Sequence, residues 1–216
     1  MKSEQLIDKL ASDLKPVRVL PSYMQRAIFW SILCNMVVII LTLATGPLRA
    51  NFIDQLIGHP QFLFEFLVGM TINPIACISL FYLIIPSENS FNIKRIAIAL
   101  LPFIILIILS LLSTLYPALP PSMEGKREFC TEQTLLFGII PYLGLWFAVK
   151  NSFPWHKYWV GIYLSLAAFT PGAIIMHIAC MYAPFHVLQA HLLPAIVISF
   201  FGMVIANRFL LQKSKL

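Results

Sequence analysis

Two cysteines, Cys130 and Cys180, and the histidines and acids around them are the residues whose types could do chemistry. Glu128 and Glu132 flank Cys130, and His177 lies one helical turn before Cys180, on the same face of any helix that carries both. His186 and His191 follow within a short segment. Thiolate with imidazole is ligand chemistry for soft or borderline metals such as zinc, cadmium or copper. On that chemistry the metal donors to set beside Cys130 and Cys180 are His177, Glu128, Glu132 and His186. A reversible Cys130–Cys180 disulfide is the second reading, and it needs Cα atoms within about 7 Å. The third is two unpaired thiols with histidines at a polar boundary. The spacing holds no CxxC and no HxxxH, so all three stay open.

Other constellations are thin. Cys34 and Cys77 fall in apolar runs and read as small hydrophobes. Glu65 is the one acid inside an apolar span, about one turn from its end, where snorkelling to the interface is cheap. No GxSxG, HExxH or phosphate-cradling glycine loop is present. Neither enzyme activity nor an obligatory cofactor is expected.

The elements that must position these residues are membrane helices. Hydrophobic residues make up 59% of the 216 and charged residues only 11%, with mean hydropathy +0.84. Soluble domains carry about 25% charged residues, so lipid must be the solvent for most of this chain. A span needs roughly 20 apolar residues, and six such runs are legible. They cover about Ala27 to Ala44, Phe62 to Ile85, Ile96 to Leu115, Gln133 to Val149, Trp159 to Met181 and His191 to Leu211. The fold class expected is therefore all-α: a polytopic membrane protein with a cytoplasmic segment 1–26, a six-helix domain 27–211 and a tail 212–216.

Basic residues set the orientation. With the N-terminus inside, inner segments hold Lys2, Lys9, Lys15, Arg18, Arg26, Lys94, Arg95, Lys150, Lys157, Arg208, Lys213 and Lys215, whereas outer segments hold Arg49, Lys126 and Arg127. The positive-inside rule then gives N-in and C-in, and Cys130 and Cys180 face the outer compartment at similar depth. Topology also accounts for the net charge of +6, so no direct nucleic-acid partner is expected. The 26 mostly polar leading residues, with Glu4, Asp8 and Asp13, are unlike a cleavable signal peptide.

Before the first span, Leu6, Ile7, Leu10, Ala11 and Leu14 recur at helical spacing, with Ser3 as N-cap and Pro16 as stop. So short an amphipathic helix needs a surface to bury against: the membrane, its own bundle or a protein. Asn73-Pro74 and Thr170-Pro171-Gly172 interrupt the second and fifth spans at matching positions. Inverted three-helix repeats of a small transporter, with a site near Asn73, Pro171 and Glu65, would look like this. A membrane thiol oxidoreductase using Cys130 and Cys180 is a further alternative.

The string Leu6-Ile7-Asp8 through Leu10, Asp13-Leu14, Pro16-Val17 and Leu20-Pro21 resembles the opening of the NrsF-like membrane proteins. The likeness continues at His59-Pro60-Gln61-Phe62, at Cys130, at the turn containing Pro154 and from His177 to Cys180. These are negative regulators of extracytoplasmic-function sigma factors, in the bacterial inner (cytoplasmic) membrane. The resemblance implies an anti-sigma factor whose N-terminal segment (Leu6, Ile7, Asp8, Leu10, Asp13, Leu14, Pro16, Val17) holds an extracytoplasmic-function sigma factor. It further implies release when heavy metal or oxidant acts on Cys130 and Cys180.

Overall fold

A computed structural model describes residues 21–85, 93–152, 154, 156 and 157–210. The N-terminal amphipathic helix, with Leu6 through Val17, and the 212–216 tail lie outside the described residues. The helices are α1 (Tyr23–Thr45), α2 (Phe52–Gly58), α3 (Pro60–Leu83), α4 (Ile93–Leu115), α5 (Cys130–Val149), α6 (Lys157–Ala179) and α7 (Pro184–Phe209). All but α2 are long and apolar enough to cross a membrane, which makes six among the described residues and a multi-pass membrane protein. Ser22 starts α1 with a reciprocal cap: its hydroxyl accepts the Gln25 N–H at 3.2 Å and its own N–H donates to Gln25 Oε1 at 3.1 Å. Pro60 opens α3 at its first turn, where its missing N–H costs nothing.

Two boundaries differ from the hydropathy pattern in ways that matter for the site. α5 begins at Cys130, which puts that thiol on the first helical turn instead of in the preceding loop. α7 begins at Pro184, not His191, and its segment Val187–Leu192 is π-helical. Both stretches are less apolar than the spans they extend, so hydropathy alone stops short of them.

α6 is the axis of the bundle. Its apolar stretch is 94% buried inside the protein, against 22% to 44% for the other five spans. α3, α5, α7 and α1 all pack on it. Small residues let them come close, and the closest backbone approach at a described glycine is Gly161 of α6 against Gly202 of α7. A methyl group at Gly161 would overlap the Gly202 carbonyl.

The paired interruptions at Asn73 and Pro171 meet in this core. Pro171 has no N–H for the carbonyl of Ala167, four residues earlier. Asn73 Nδ2 donates to that carbonyl at 2.5 Å from α3, while its Oδ1 accepts from Ser31 Oγ at 2.6 Å and Asn35 Nδ2 at 2.9 Å of α1. One amide thus ties three helices and satisfies the backbone group that the proline released. These groups are occupied with one another, as a structural joint requires and a substrate site does not. Asn73→Leu strands the Ala167 carbonyl and two donors. It should destabilise the bundle by about 1–2 kcal/mol, read as a lowered thermal midpoint of the detergent-solubilised protein. An unchanged midpoint would refute the joint.

Candidate functional site

At one end of the bundle the first turn of α5, the end of α6 and the start of α7 converge. Cys180 is the extended residue that closes α6. The link after it is pinned from both sides: Ser122 N–H donates to the Tyr182 carbonyl at 2.8 Å, and the Tyr182 hydroxyl accepts the Ala118 N–H at 3.0 Å. Pro184 then restarts the chain as α7.

The π-helical turn does the positioning. Pro194 lacks an N–H, and its ring would crowd the carbonyl of Ala190 in a regular helix. Just before it the turn opens, and Leu193 N–H bonds to the Leu188 carbonyl five residues back. In that register His186 and His191, five residues apart, come onto one side, with ring centroids 5.2 Å apart. An ideal α-helix would have turned them well away from each other.

The result is a thiol–imidazole cluster. Cys130 Sγ lies 3.0 Å from His191 Nε2, and Cys180 Sγ lies 3.4 Å from His186 Nε2. The four ligand atoms all fall within 4.8 Å of one another. Cys130, Cys180 and His191 are buried and His186 is half-buried, which gives solvent one approach. All four cysteines of the chain are free thiols. The Cys180 thiol is held below the ordinary thiol range, chiefly by the hydrogen bond from Cys130, with His186 and His191 adding to it and burial opposing. Two sulfurs and two imidazole nitrogens are the donor set of a closed tetrahedral zinc or cadmium site. The same convergence of sulfurs suits disulfide exchange.

Two arginines frame the cluster. Arg49, 2% exposed, donates from Nη1 to the Cys180 carbonyl at 2.9 Å and lays its guanidinium over the Phe62 ring at 5.4 Å. Burial pulls its pKa down from the usual arginine range. Arg127 donates from Nη2 to the carbonyls of Gly46 and Pro47, at 3.0 and 2.8 Å, and from Nη1 to Thr45 Oγ1 at 3.0 Å. A cation there complements the negative end of the α1 dipole.

The sequence-derived residues are therefore distributed unevenly. Cys130, Cys180 and His186 come together, and His191, present in the sequence but not among the expected donors, completes the set. His177 turns away from the thiols: its ring stacks on Phe62 at 4.8 Å, and its Nε2 lies 3.6 Å from Glu65 Oε2. Glu128 and Glu132 are exposed, outside the donor group. Glu65 does not snorkel; it is 2% exposed and points into the bundle, where Ser113 and Gln61 hydrogen-bond it. Cys34 and Cys77 are buried in the core among apolar side chains. Arg49 and Arg127 were legible only as cations on the cation-poor side of the topology.

Fold and site together define a multi-pass helical membrane protein with a buried thiol–imidazole centre at one end. The chain belongs to the NrsF family, described as negative regulator of sigma F, whose model matches residues 10–211. No curated protein and no solved structure matches it.

Proposed function

We propose that this chain is an inner-membrane anti-sigma factor that holds an extracytoplasmic-function sigma factor at its cytoplasmic face and releases it when the cluster at its outer face is occupied or oxidised. Family membership supports the regulatory role. The observation that carries the sensing role is the convergence of Cys130, Cys180, His186 and His191 within 4.8 Å.

The chemistry of the signal follows from the donor set. A soft divalent cation displaces the thiol protons and draws the four donors onto one centre. An oxidant instead takes two electrons and two protons from Cys130 and Cys180 to leave a disulfide. Either event bonds the start of α5 to the end of α6, and the metal also fastens the start of α7. These helices meet along α6, so a change of arrangement at one end reaches the other by rigid-body adjustment. At the inner face the segment around Leu6, Ile7, Asp8, Leu10, Asp13, Leu14, Pro16 and Val17 is the contact for the sigma factor. Two states of the bundle, one that holds the sigma factor and one that releases it, are what the mechanism requires. The role is regulatory and needs no catalysis.

The direct test is co-purification of the detergent-solubilised protein with its sigma factor, for the full chain and for a chain lacking residues 1–22. Retention by the full chain and loss on truncation is the expected result. Retention by neither, with both folded and monodisperse, refutes the anti-sigma role; equal retention by both moves the contact to the inner loops.

A further inference from the structure

Beside the thiol cluster lies a buried acid–imidazole pair that takes no part in it. Glu65 Oε1 of α3 accepts hydrogen bonds from Ser113 Oγ of α4 at 2.5 Å and from Gln61 Nε2 at 3.2 Å. Its Oε2 faces His177 Nε2 of α6 at 3.6 Å, and that nitrogen has no hydrogen-bond partner. A buried polar atom left in this state costs about 1–3 kcal/mol. The gap among Glu65, Ser110, Ser113, His177, Tyr182 and Val187 is too small for a water molecule. A proton is the one ligand such a site can take, and residues from α3, α4, α6 and α7 all line it.

We propose that the Glu65–His177 pair is a proton-binding site that reports acidity at the cysteine end of the bundle and moves the Cys180–His186 link in response. The groups that face it support a definite charge balance. From α3 comes Gln61, from α4 come Ser110 and Ser113, and from the α6–α7 link comes Tyr182, whose ring meets His177 edge-on at 6.1 Å. From the α1–α2 link Arg49 sits on the Phe62 ring that His177 also stacks on, with Glu124 in electrostatic range of Arg49. From α7, His191 lies in electrostatic range of His177. Glu65 takes the hydrogen bonds of Ser113 and Gln61, whereas Arg49 has Cys180, Glu124 and Tyr182 as its electrostatic neighbours. A proton taken on His177 Nε2 puts a buried positive charge beside Glu65 and on the Phe62 ring that also carries Arg49, and the structure relaxes around it. Relaxation has two obvious parts. The 3.6 Å gap closes to a charge-assisted hydrogen bond, and Arg49, which holds the Cys180 carbonyl, is pushed aside. Both shift the Cys180–His186 link. The inference stands on the pair's own geometry and is independent of any metal at the thiols.

The test is hydrogen–deuterium exchange of residues 180–187 in lipid nanodiscs at about pH 8 and about pH 5, corrected for intrinsic exchange. Wild type, Glu65→Gln and His177→Phe are compared, the last keeping a ring on Phe62. Protection in wild type should change by at least about threefold between the two conditions, and both variants should lose that change. No change in wild type, or the same change in both variants, overturns the proposal. If either variant fails to fold, the ¹⁵N resonance of His177 in wild type decides: it must titrate across that range, and a static signal overturns the proposal.

Discussion

Replacing Cys130 and Cys180 together by serine leaves sigma-factor retention intact and abolishes the response to soft metals and oxidants. Serine fills nearly the volume of cysteine and can still hydrogen-bond His191 and His186, so the ends of α5 and α6 keep their places. What is lost is the ligand. A serine hydroxyl does not ionise near neutrality, is a poor donor to zinc or cadmium, and cannot form a disulfide. Structural zinc sites with four protein donors bind with about 10–16 kcal/mol. Losing two of four donors, and both of the anionic ones, should therefore weaken binding by on the order of 10³-fold or more. Competition with a chromogenic chelator on protein in nanodiscs measures the first effect, and a sigma-dependent reporter measures the second. A double mutant that binds metal like wild type and still releases its sigma factor leaves the cluster without a sensing role.

The pH dependence of that binding has a fixed sign. Metal binding needs thiolates and neutral imidazoles, so protons compete with it. Cys180, held below the ordinary thiol range by Cys130 and the two histidines, gives up its proton readily at neutral pH. Cys130, which donates a hydrogen bond to it, must still release its proton to become a ligand, so affinity should fall as the pH drops from about 8 to about 5. Affinity that is flat or rises over that interval contradicts a donor set that must shed thiol protons to bind.

How much of this was legible in the sequence depends on the distance over which the deciding physics acts. The six spans follow from apolar run length, a local property, and all six are present. Cys130 and Cys180 stand out because thiols beside acids and histidines interrupt those runs. Proximity between the start of α5 and the end of α6 depends on α6 being the central helix, and no single-residue pattern states that. Asn73 and Pro171 show the same limit from the other side. Each is visible as a break in its own span, but the Asn73 amide satisfying the Ala167 carbonyl freed by Pro171 is a contact across 94 positions of chain. As isolated breaks they looked like a transporter's discontinuous helices; as a joined pair they explain each other. Glu65 misled for a related reason. Depth along a span predicts snorkelling, whereas the face on which it sits, against Ser113 of α4 and His177 of α6, sends it inward.

His191 and His177 separate the two ways of choosing a donor, and exchanging them in an experiment should give opposite results. α-Helical spacing favours His177, one turn from Cys180 on the same face. The structure favours His191, because the π-helical turn ahead of Pro194 brings it to 3.0 Å from Cys130 Sγ. His191→Phe removes one of four donors and puts an aromatic ring in its place. Metal affinity should drop by about 100-fold or more, since even indirect supports of a metal ligand are worth 10–100-fold. His177→Phe keeps the stack on Phe62, touches none of the four donors, and should leave affinity within about threefold of wild type, a change of under 1 kcal/mol. Pro194→Ala offers a control on the cause. Restoring an N–H at that position lets the turn close to a regular α-helix, which rotates His191 away from His186. Metal affinity should fall with both imidazoles still present. If instead His177→Phe abolishes binding while His191→Phe leaves it unchanged, the π-helical turn is not what builds the centre, and α6 alone supplies its nitrogen ligand.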